Sequence, residues 1–591
     1  MTLANQIKSS PKLFHSYLRH RRVGKPSIGP LKNGTGVTDD PSTMAKIFVT
    51  TFERVFETNV PQHPAAHQST PIQLPDLTVT SLSIEQQIKT LDMNSSMGID
   101  GVHPRLLIRC AASLSYPLKL IFNSSLREGR LPLEWLSSQI TPIFKKGSRT
   151  TALNYRPIAI TSVPCKVLEK EIVNHLKEHL EGNGLLSEHQ FGFRSNHSTS
   201  DQLILCYDEV TRHVDQHKMV DLIFFDYTKA FDKVCHKILL EKLSSIGVGV
   251  QLRRWIESFL TDRRMQVRVH GAVSDWRRVT SGVPQGSALG PTLFLLYVNH
   301  VVHSLSCSYK IFADEIKLYL RSTPRDPSTG VADLQADINT LVTTSASWGL
   351  EMNVTKCTCL RLGPWALGDC SNGQSPYTID GTNINYSGVY KDLGVKVDRN
   401  LKFHNHIRST ANTCNALTTN LLSSTICRKQ NFLINIYKAL IRPKLEYGST
   451  VWNLGYLGDL RALERVQRRW TRQIRGLEHL PYSQRLLHLD LFSVKGRLLR
   501  ADLILTWKIF MGKCSINLGQ IFQVRESSGR GHSKKLFLPR TSLEVRRRFF
   551  PVRVVHHWNS LSEEAVSAPT LSTFKHFLHR DLGQELFNYV E

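Results

Sequence analysis

Two apolar, strand-forming runs in this chain each end on an aspartate. "VDLIFFD" closes on Asp226, and "SYKIFAD" closes on Asp314, 88 residues later. Runs this apolar and this short read as buried strands. Either aspartate alone reads as a strand-end residue facing solvent. If the two strands are neighbours, however, the carboxylates converge, and like charges held at one site call for a cation. A few hard oxygen ligands, with room left for water and phosphate oxygens, suit Mg²⁺. Two such ions about 3.5–4 Å apart activate an attacking oxygen and stabilise a leaving one in phosphoryl transfer. Glu315 follows Asp314 directly, so the second run carries two adjacent carboxylates before "IKLYL" resumes the strand pattern.

The text around these runs alternates strands and helices, which implies an α+β class rather than a repeat. "TPIFKK" (Thr141–Lys146) reads as a strand, and Val167–Leu180 as an amphipathic helix closed by "EGNG". Ala288–Val302 reads as a helix with Pro291 tolerated in its first turn. Ser83–Gln86 has the form of a capping box, with Ile84, Ile88 and Leu91 on one helical face. Residues 1–75 read as a basic arm or linker, with one helix around Met44–Phe56. Beyond about residue 410 the pattern is mostly helical, and Ser527–Leu536 reads as a linker before a last unit.

Charge narrows the partners. The 591 residues carry a formal net charge of +26, and a globular chain this basic usually meets a polyanion, nucleic acid first. In Asp459–Gly476, Leu463, Val466, Trp470 and Ile474 form an apolar stripe. Arg461, Arg465, Arg468, Arg472 and Arg475 recur at steps of four and three, which puts them on one face as well. A solvated charged face is the plain alternative, but a face of one sign repels itself unless phosphates cover it. The glycine-rich "SGVPQGSALGP" (Ser281–Pro291) would let backbone approach a ligand closely. Lys145, Lys146 and Arg156 stand near a strand pair, where they would hold a triphosphate or, as basic loop residues more often do, simply meet solvent. The 11 cysteines form no C-x-x-C motif and read as reduced thiols. "GPTLFLLYV" and "ADLILTW" are too short to span a bilayer.

Taken in order, "FFDYTKAFDKV", "SGVPQGSALGPTLF" and "IFADEIKLY" resemble the palm motifs of reverse transcriptases. "SSMGIDGVHPRLL", "NYRPIAITS" and "LLSEHQFGFRSNHST" resemble the fingers of the jockey-like non-LTR retrotransposon polymerases, and "LIRPKLEYGSTVWN" and "RVVHHWNSL" resemble their thumb and C-terminal region. The resemblance covers roughly residues 5–585 and rests on several long motifs in fixed order. It implies a right-hand polymerase: fingers and the start of the palm at 76–219, palm at 220–400, helical thumb at 401–525 and a C-terminal region at 526–591. It also implies RNA-templated DNA synthesis from dNTPs and a DNA primer or target, with no membrane, and a nuclear and cytoplasmic life cycle.

By the same resemblance Asp226, Asp314 and Glu315 would carry two Mg²⁺ ions, with Mn²⁺ as a substitute. Phe231 would exclude a 2′-OH, Gln285 and Gly286 would contact template and nucleotide, and Lys356 would stand near the leaving pyrophosphate. Lys145 and Arg156 would touch the triphosphate, and the arginine face of 461–475 would track the primer–template backbone. The chain departs from the family in two places. The family's acidic turn reads Asp-Asp where this chain has Asp314-Glu315, which moves a carboxylate outward by about 1.5 Å. Misplacement on that scale can cost on the order of 100-fold, so impaired polymerase activity, or a nucleic-acid-binding relic, is expected. In addition only about 75 residues precede the fingers, where full-length family members carry an endonuclease, so no nuclease is expected. "HLKEH" (His175–His179) fits an inverted zinc-protease pattern, but Ile172, Leu176 and Leu180 mark that helix as packing. His404–His406 and His556–His557 read as surface residues.

Overall fold

The computed structural model describes residues 28–34, 36–56, 61, 72–322, 327–363, 374–525 and 531–591. Most of the stretch read as a basic arm, and the first part of the linker read at Ser527–Leu536, lie outside the described residues. The chain is a mixed α+β domain with several sheets, followed by a helical C-terminal region.

The central sheet has six strands: β1 (Met219–Asp226), β2 (Ser308–Phe312), β3 (Glu315–Ser322), β4 (Thr358–Leu362), β5 (Gln374–Ile379) and β6 (Thr382–Tyr386), in the spatial order β5-β6-β4-β1-β3-β2. Apart from Asp221, which is buried against Arg361, and the terminal Asp226, the first strand is apolar because both of its faces are covered. Val220, Leu222 and Phe224 enter one hydrophobic core, and Ile223 and Phe225 enter another. The first core joins the sheet to the helical C-terminal region and runs on to Leu586. The second is built from helices between residues 81 and 347. A sheet sandwiched in this way has its strand order set by both layers.

A second, five-stranded sheet contains Ser137–Phe144, Tyr155–Ile160 and Arg264–Val269. Helix α1 (Pro41–Glu53) covers it through Phe48, Val49 and Phe52. The helix expected near Ser83 starts two residues earlier, at Ser81. Thr80 is its N-cap and closes the box with Ser83: the Thr80 hydroxyl accepts from the Ser83 N–H at 3.1 Å. The helix expected at Val167–Leu180 is α2 (Val163–Gly182), which begins earlier because Ser162 caps it through the Cys165 N–H. The expected Ala288–Val302 helix is the shorter Gly290–Val298. Its first turn is held by Glu169, a buried carboxylate on α2 that accepts from the N–H groups of Ala288 and Leu289 at 2.6 and 2.9 Å.

The helix expected over Asp459–Gly476 spans Leu457–Thr471. It stops there because Arg472, Gln473 and Ile474 turn back onto the carbonyls of Arg468, Trp470 and Thr471. His406 is a correction: it is buried, not a surface residue. Its Nδ1 accepts the Lys396 N–H, its ring packs on Trp452, and burial lowers its pKa to about 4. The cysteines of the described residues are free, and Cys427 alone among them is exposed. Among the described residues no helix is long and apolar enough to cross a membrane.

Candidate active site

The cleft is organised around a hairpin. Strands β2 and β3 pair antiparallel with Phe312 opposite Glu315, leaving a two-residue turn of Ala313 and Asp314. Ala313 has φ +58° while Asp314 does not take a positive φ. That is the type II′ pattern, in which glycine is the usual first residue. Strand β3 then pairs with β1, so Glu315 lies opposite Asp226. The antiparallel register therefore brings the ends of both apolar runs to the same edge of the sheet.

An alanine in that conformation needs support, and it comes from the segment His189–Gly192. The Ile311 N–H donates to the His189 carbonyl and the Phe191 N–H to the Ile311 carbonyl, both at 2.9 Å. The Gln190 side-chain oxygen accepts from the N–H groups of Gly192, at 2.8 Å, and Ala313, at 3.1 Å. Gln190 is 1% exposed. A Cβ on Gly192 would lie 2.5 Å from the Ala313 nitrogen, so only glycine fits against the turn. In the sequence "QFGF" stands out only as part of a resemblance; nothing in its composition or spacing says what it touches.

One cleft of about 520 Å³ is lined by Asp226, Asp314, Lys356, Phe231, Gln285, Gly286, Lys145 and Arg156 together. Lys356 Nζ forms an ion pair with Asp226 Oδ2. The Asp314 carboxyl is pushed above the usual range by burial first and by the Asp226 charge as well, with Lys145 and Arg156 opposing. Lys145 is lowered by burial and by the cations Arg156 and Lys356, while both aspartates pull the other way. Two acids and three bases thus share one electrostatic environment.

Phe231 stacks on Phe294, with ring centres 4.1 Å apart, and meets Phe193 edge-on. Gly286 sits at φ +128°, and a Cβ there would run into the Ala159 carbonyl. The neighbouring Gln285 carbonyl accepts the Ala159 N–H at 2.7 Å, which locks the glycine-rich loop onto the Tyr155–Ile160 strand. The Gln285 side chain donates to Asp232 Oδ1 at 2.7 Å. Asp232, which the sequence reading did not single out, also lines the cleft; burial raises its pKa to about 6.

Glu315 is not among the cleft-lining residues. Its side chain keeps an exposed edge, yet loss of hydration, then the charges of Asp314, Asp392 and Asp226, push its pKa up to about 7 against the pull of Lys317. Among the described residues no three His, Cys, Asp or Glu side chains gather into a metal-ligand cluster. Of the cleft's carboxylates, Asp232 accepts from the Gln285 side chain; those of Asp226 and Asp314 are hard oxygens whose mutual repulsion a divalent cation would relieve, so they fit Mg²⁺ or Mn²⁺.

The arginines of the 461–475 stripe do not line the cleft. Arg461, Arg465 and Arg468 lie on the Leu457–Thr471 helix, Arg472 caps its end, and Arg475 lies in the turns beyond it. Arg461 donates to the backbone carbonyl of Glu591, and Arg468 is half-buried. The histidines of "HLKEH" are engaged elsewhere: His175 meets the Pro75 carbonyl and His179 the Ile246 carbonyl, each at 2.7 Å.

Comparison with known proteins agrees with the motif order. Residues 143–396 match the family model described as "Reverse transcriptase (RNA-dependent DNA polymerase)". The chain is 28% identical over 445 residues to the probable RNA-directed DNA polymerase from transposon BS of Drosophila melanogaster, covering 71% of this chain and 47% of that protein. It is 28% identical over 421 residues to the RNA-directed DNA polymerase from mobile element jockey of Drosophila funebris, covering 69% and 45%. A third relative, the Pol polyprotein from type-1 retrotransposable element R2 of Nasonia vitripennis, is 24% identical over 299 residues, covering 48% and 28%. The chain thus spans less than half the length of these relatives. Residues 143–396 form a reverse transcriptase domain of the non-LTR retrotransposon type.

Proposed function

We propose that the chain is an RNA-directed DNA polymerase that joins a deoxynucleoside triphosphate to a primer 3′-hydroxyl on an RNA template. The observation that carries this is the single cleft that Asp226, Asp314, Lys145, Arg156, Phe231, Gln285 and Gly286 line together, with the acids and cations acting on one another's charge. In this reading the central sheet is the palm and the five-stranded sheet with its helices belongs to the fingers. Residues 401–525 form the thumb, with 526–591 after it.

Asp226 and Asp314 would hold two Mg²⁺ ions, or Mn²⁺. Bound there, such ions lower the pKa of an attacking hydroxyl and neutralise charge on a leaving phosphate oxygen. The chain's own side chains do the rest. Lys145 and Arg156 bind and orient the triphosphate, as cations do for a polyanion. Phe231, held by its stack on Phe294, fills the space a ribose 2′-OH would need. Gln285 is fixed by Asp232, so the loop carrying it and Gly286 presents a set surface to nucleotide and template. Lys356 neutralises Asp226 and stands at the cleft wall, where an ammonium can donate to a departing phosphate oxygen.

Primer extension on an RNA template tests this. Wild-type chain with Mg²⁺ should extend, and Asp226→Ala should not; equal extension by both would refute the assignment. A second reading is favoured by one specific observation: Glu315 replaces the family's aspartate and does not line the cleft. A nucleic-acid-binding relic would bind template and primer but fail to extend, both as it stands and as Glu315→Asp.

A further inference from the structure

Arg485 lies on the short helix Tyr482–His488 and is 4% exposed. Its Nε and Nη1 are buried with no hydrogen-bond partner among the described residues. Burying a cation is costly unless it is paired or hydrogen-bonded. Among the described residues the buried Arg263 donates to the Ser138 hydroxyl and the Phe259 carbonyl, and other buried or half-buried arginines pair with carboxylates. Arg361 grips Asp221, Arg553 grips Asp502 and Arg546 grips Asp208. Among the described residues Arg485 has no such carboxylate. The nearby acid, Glu464, is already taken up by the Tyr482 hydroxyl and the Val494 N–H.

What surrounds Arg485 is more positive charge. Its guanidinium lies 5.4 Å from the centre of the Tyr482 ring, and that of Arg468 lies 5.0 Å from the same ring. Arg468 also lies 5.3 Å from Tyr589, and its Nε is likewise buried and unpartnered. Burial weakens the Arg485 cation most, and the charges of Arg472 and Arg468 add to that. Three guanidinium groups, two of them with unused donors and held on tyrosine rings, match a tetrahedral oxyanion that accepts several N–H bonds at once.

We propose that Arg485, with Arg468 and Arg472, forms a binding site for a backbone phosphodiester of nucleic acid. This rests on the nucleic-acid reading above and sharpens it: the phosphate site is a cluster of guanidinium groups in the helical region, anchored by a residue outside the arginine stripe of 461–475. Arg465 and Arg475, exposed on either side, need not take part.

The test uses the full chain and a fluorescein-labelled RNA–DNA hybrid, with affinity measured by anisotropy over a KCl series. Arg485→Leu should weaken binding by about tenfold and reduce the slope of log K against log salt by about one. Arg485→Lys should keep most of the slope but lose part of the affinity, because the fork is gone while the charge stays. Inorganic phosphate at matched ionic strength should raise the wild-type melting temperature and leave that of Arg485→Leu unchanged. Wild-type affinity and slope in Arg485→Leu would overturn the proposal, and would mean that the tyrosine rings alone accommodate the cation. Phosphate stabilisation that depends on Arg485 without any change in hybrid binding would also overturn it, pointing to a free anion instead. If circular dichroism shows Arg485→Leu unfolded, the affinity loss in Arg485→Lys and the reduced salt slope in the exposed Arg472→Gln decide, and wild-type values for both would overturn the proposal. The polymerase reading fails separately: Arg485-dependent binding without primer extension sinks it and leaves the phosphate site standing.

Discussion

At the scale of single residues the cleft turns on where carboxylates sit and how hard they are to charge. Glu315 is one methylene longer than the family's aspartate and lies opposite Asp226 in the sheet. Glu315→Asp is therefore expected to raise primer extension by on the order of 10- to 100-fold; a single-turnover rate no higher than wild type would show that this position does not limit activity. Asp232 offers a test in the absence of ligands. Its folded pKa is raised to about 6 from 3.8 by burial, so the folded state holds this proton more tightly than the unfolded one. The stability it contributes is fully present below about pH 3.8 and is lost as pH rises to about 6. Asp232→Asn keeps an oxygen for Gln285 and removes the titration. Its melting temperature should gain on wild type from pH 4 to 7, and parallel curves would contradict this. Asp226 and Asp314 were legible in the sequence because a carboxylate closing an apolar run is a local pattern. Asp232 was not, because its pKa comes from burial by residues distant in the chain.

At the scale of elements, the acidic hairpin is held by groups that no periodicity reveals. Gln190 serves two backbone N–H groups at once. Gln190→Leu leaves both buried without an acceptor, at a cost of about 1–3 kcal/mol for each. Urea denaturation should show the loss, and primer extension should fall with it because the same turn carries Asp314. Gly192→Ala is expected to reduce extension sharply through contact with the Ala313 backbone. Gly192→Ala with wild-type stability and rate would mean that the turn tolerates displacement. Glu169 is the second brace, fixing the start of the Gly290–Val298 helix and with it the glycine-rich loop. The sequence predicted that helix from its apolar run and proline, but not its cap. The cap lies about 120 residues upstream, on α2.

At the scale of the whole molecule, two hydrophobic cores clamp the central sheet, and one of them extends into the last helices. Arg546 reaches back to Asp208 on the Thr199–Asp215 helix at 2.6 Å, with both side chains buried. Arg546→Leu strands a buried carboxylate whose remaining partner is Arg212, and should cost about 3–5 kcal/mol. A melting temperature within about 1 °C of wild type would show that this ion pair contributes little to holding the C-terminal region on the fold. The sequence by itself determined the strands, the helical stretches, the basic charge and the aspartates that close two apolar runs, because each follows from short-range pattern and composition. Only the tertiary structure decided that those aspartates share a cleft, that Gln190 and Glu169 brace it, that Glu315 does not line it, and that Arg485 is buried without a counter-charge among the described residues. Those outcomes depend on which strands become neighbours and in what register. Burial and pairing between residues far apart in the chain settle that, and no local pattern encodes it.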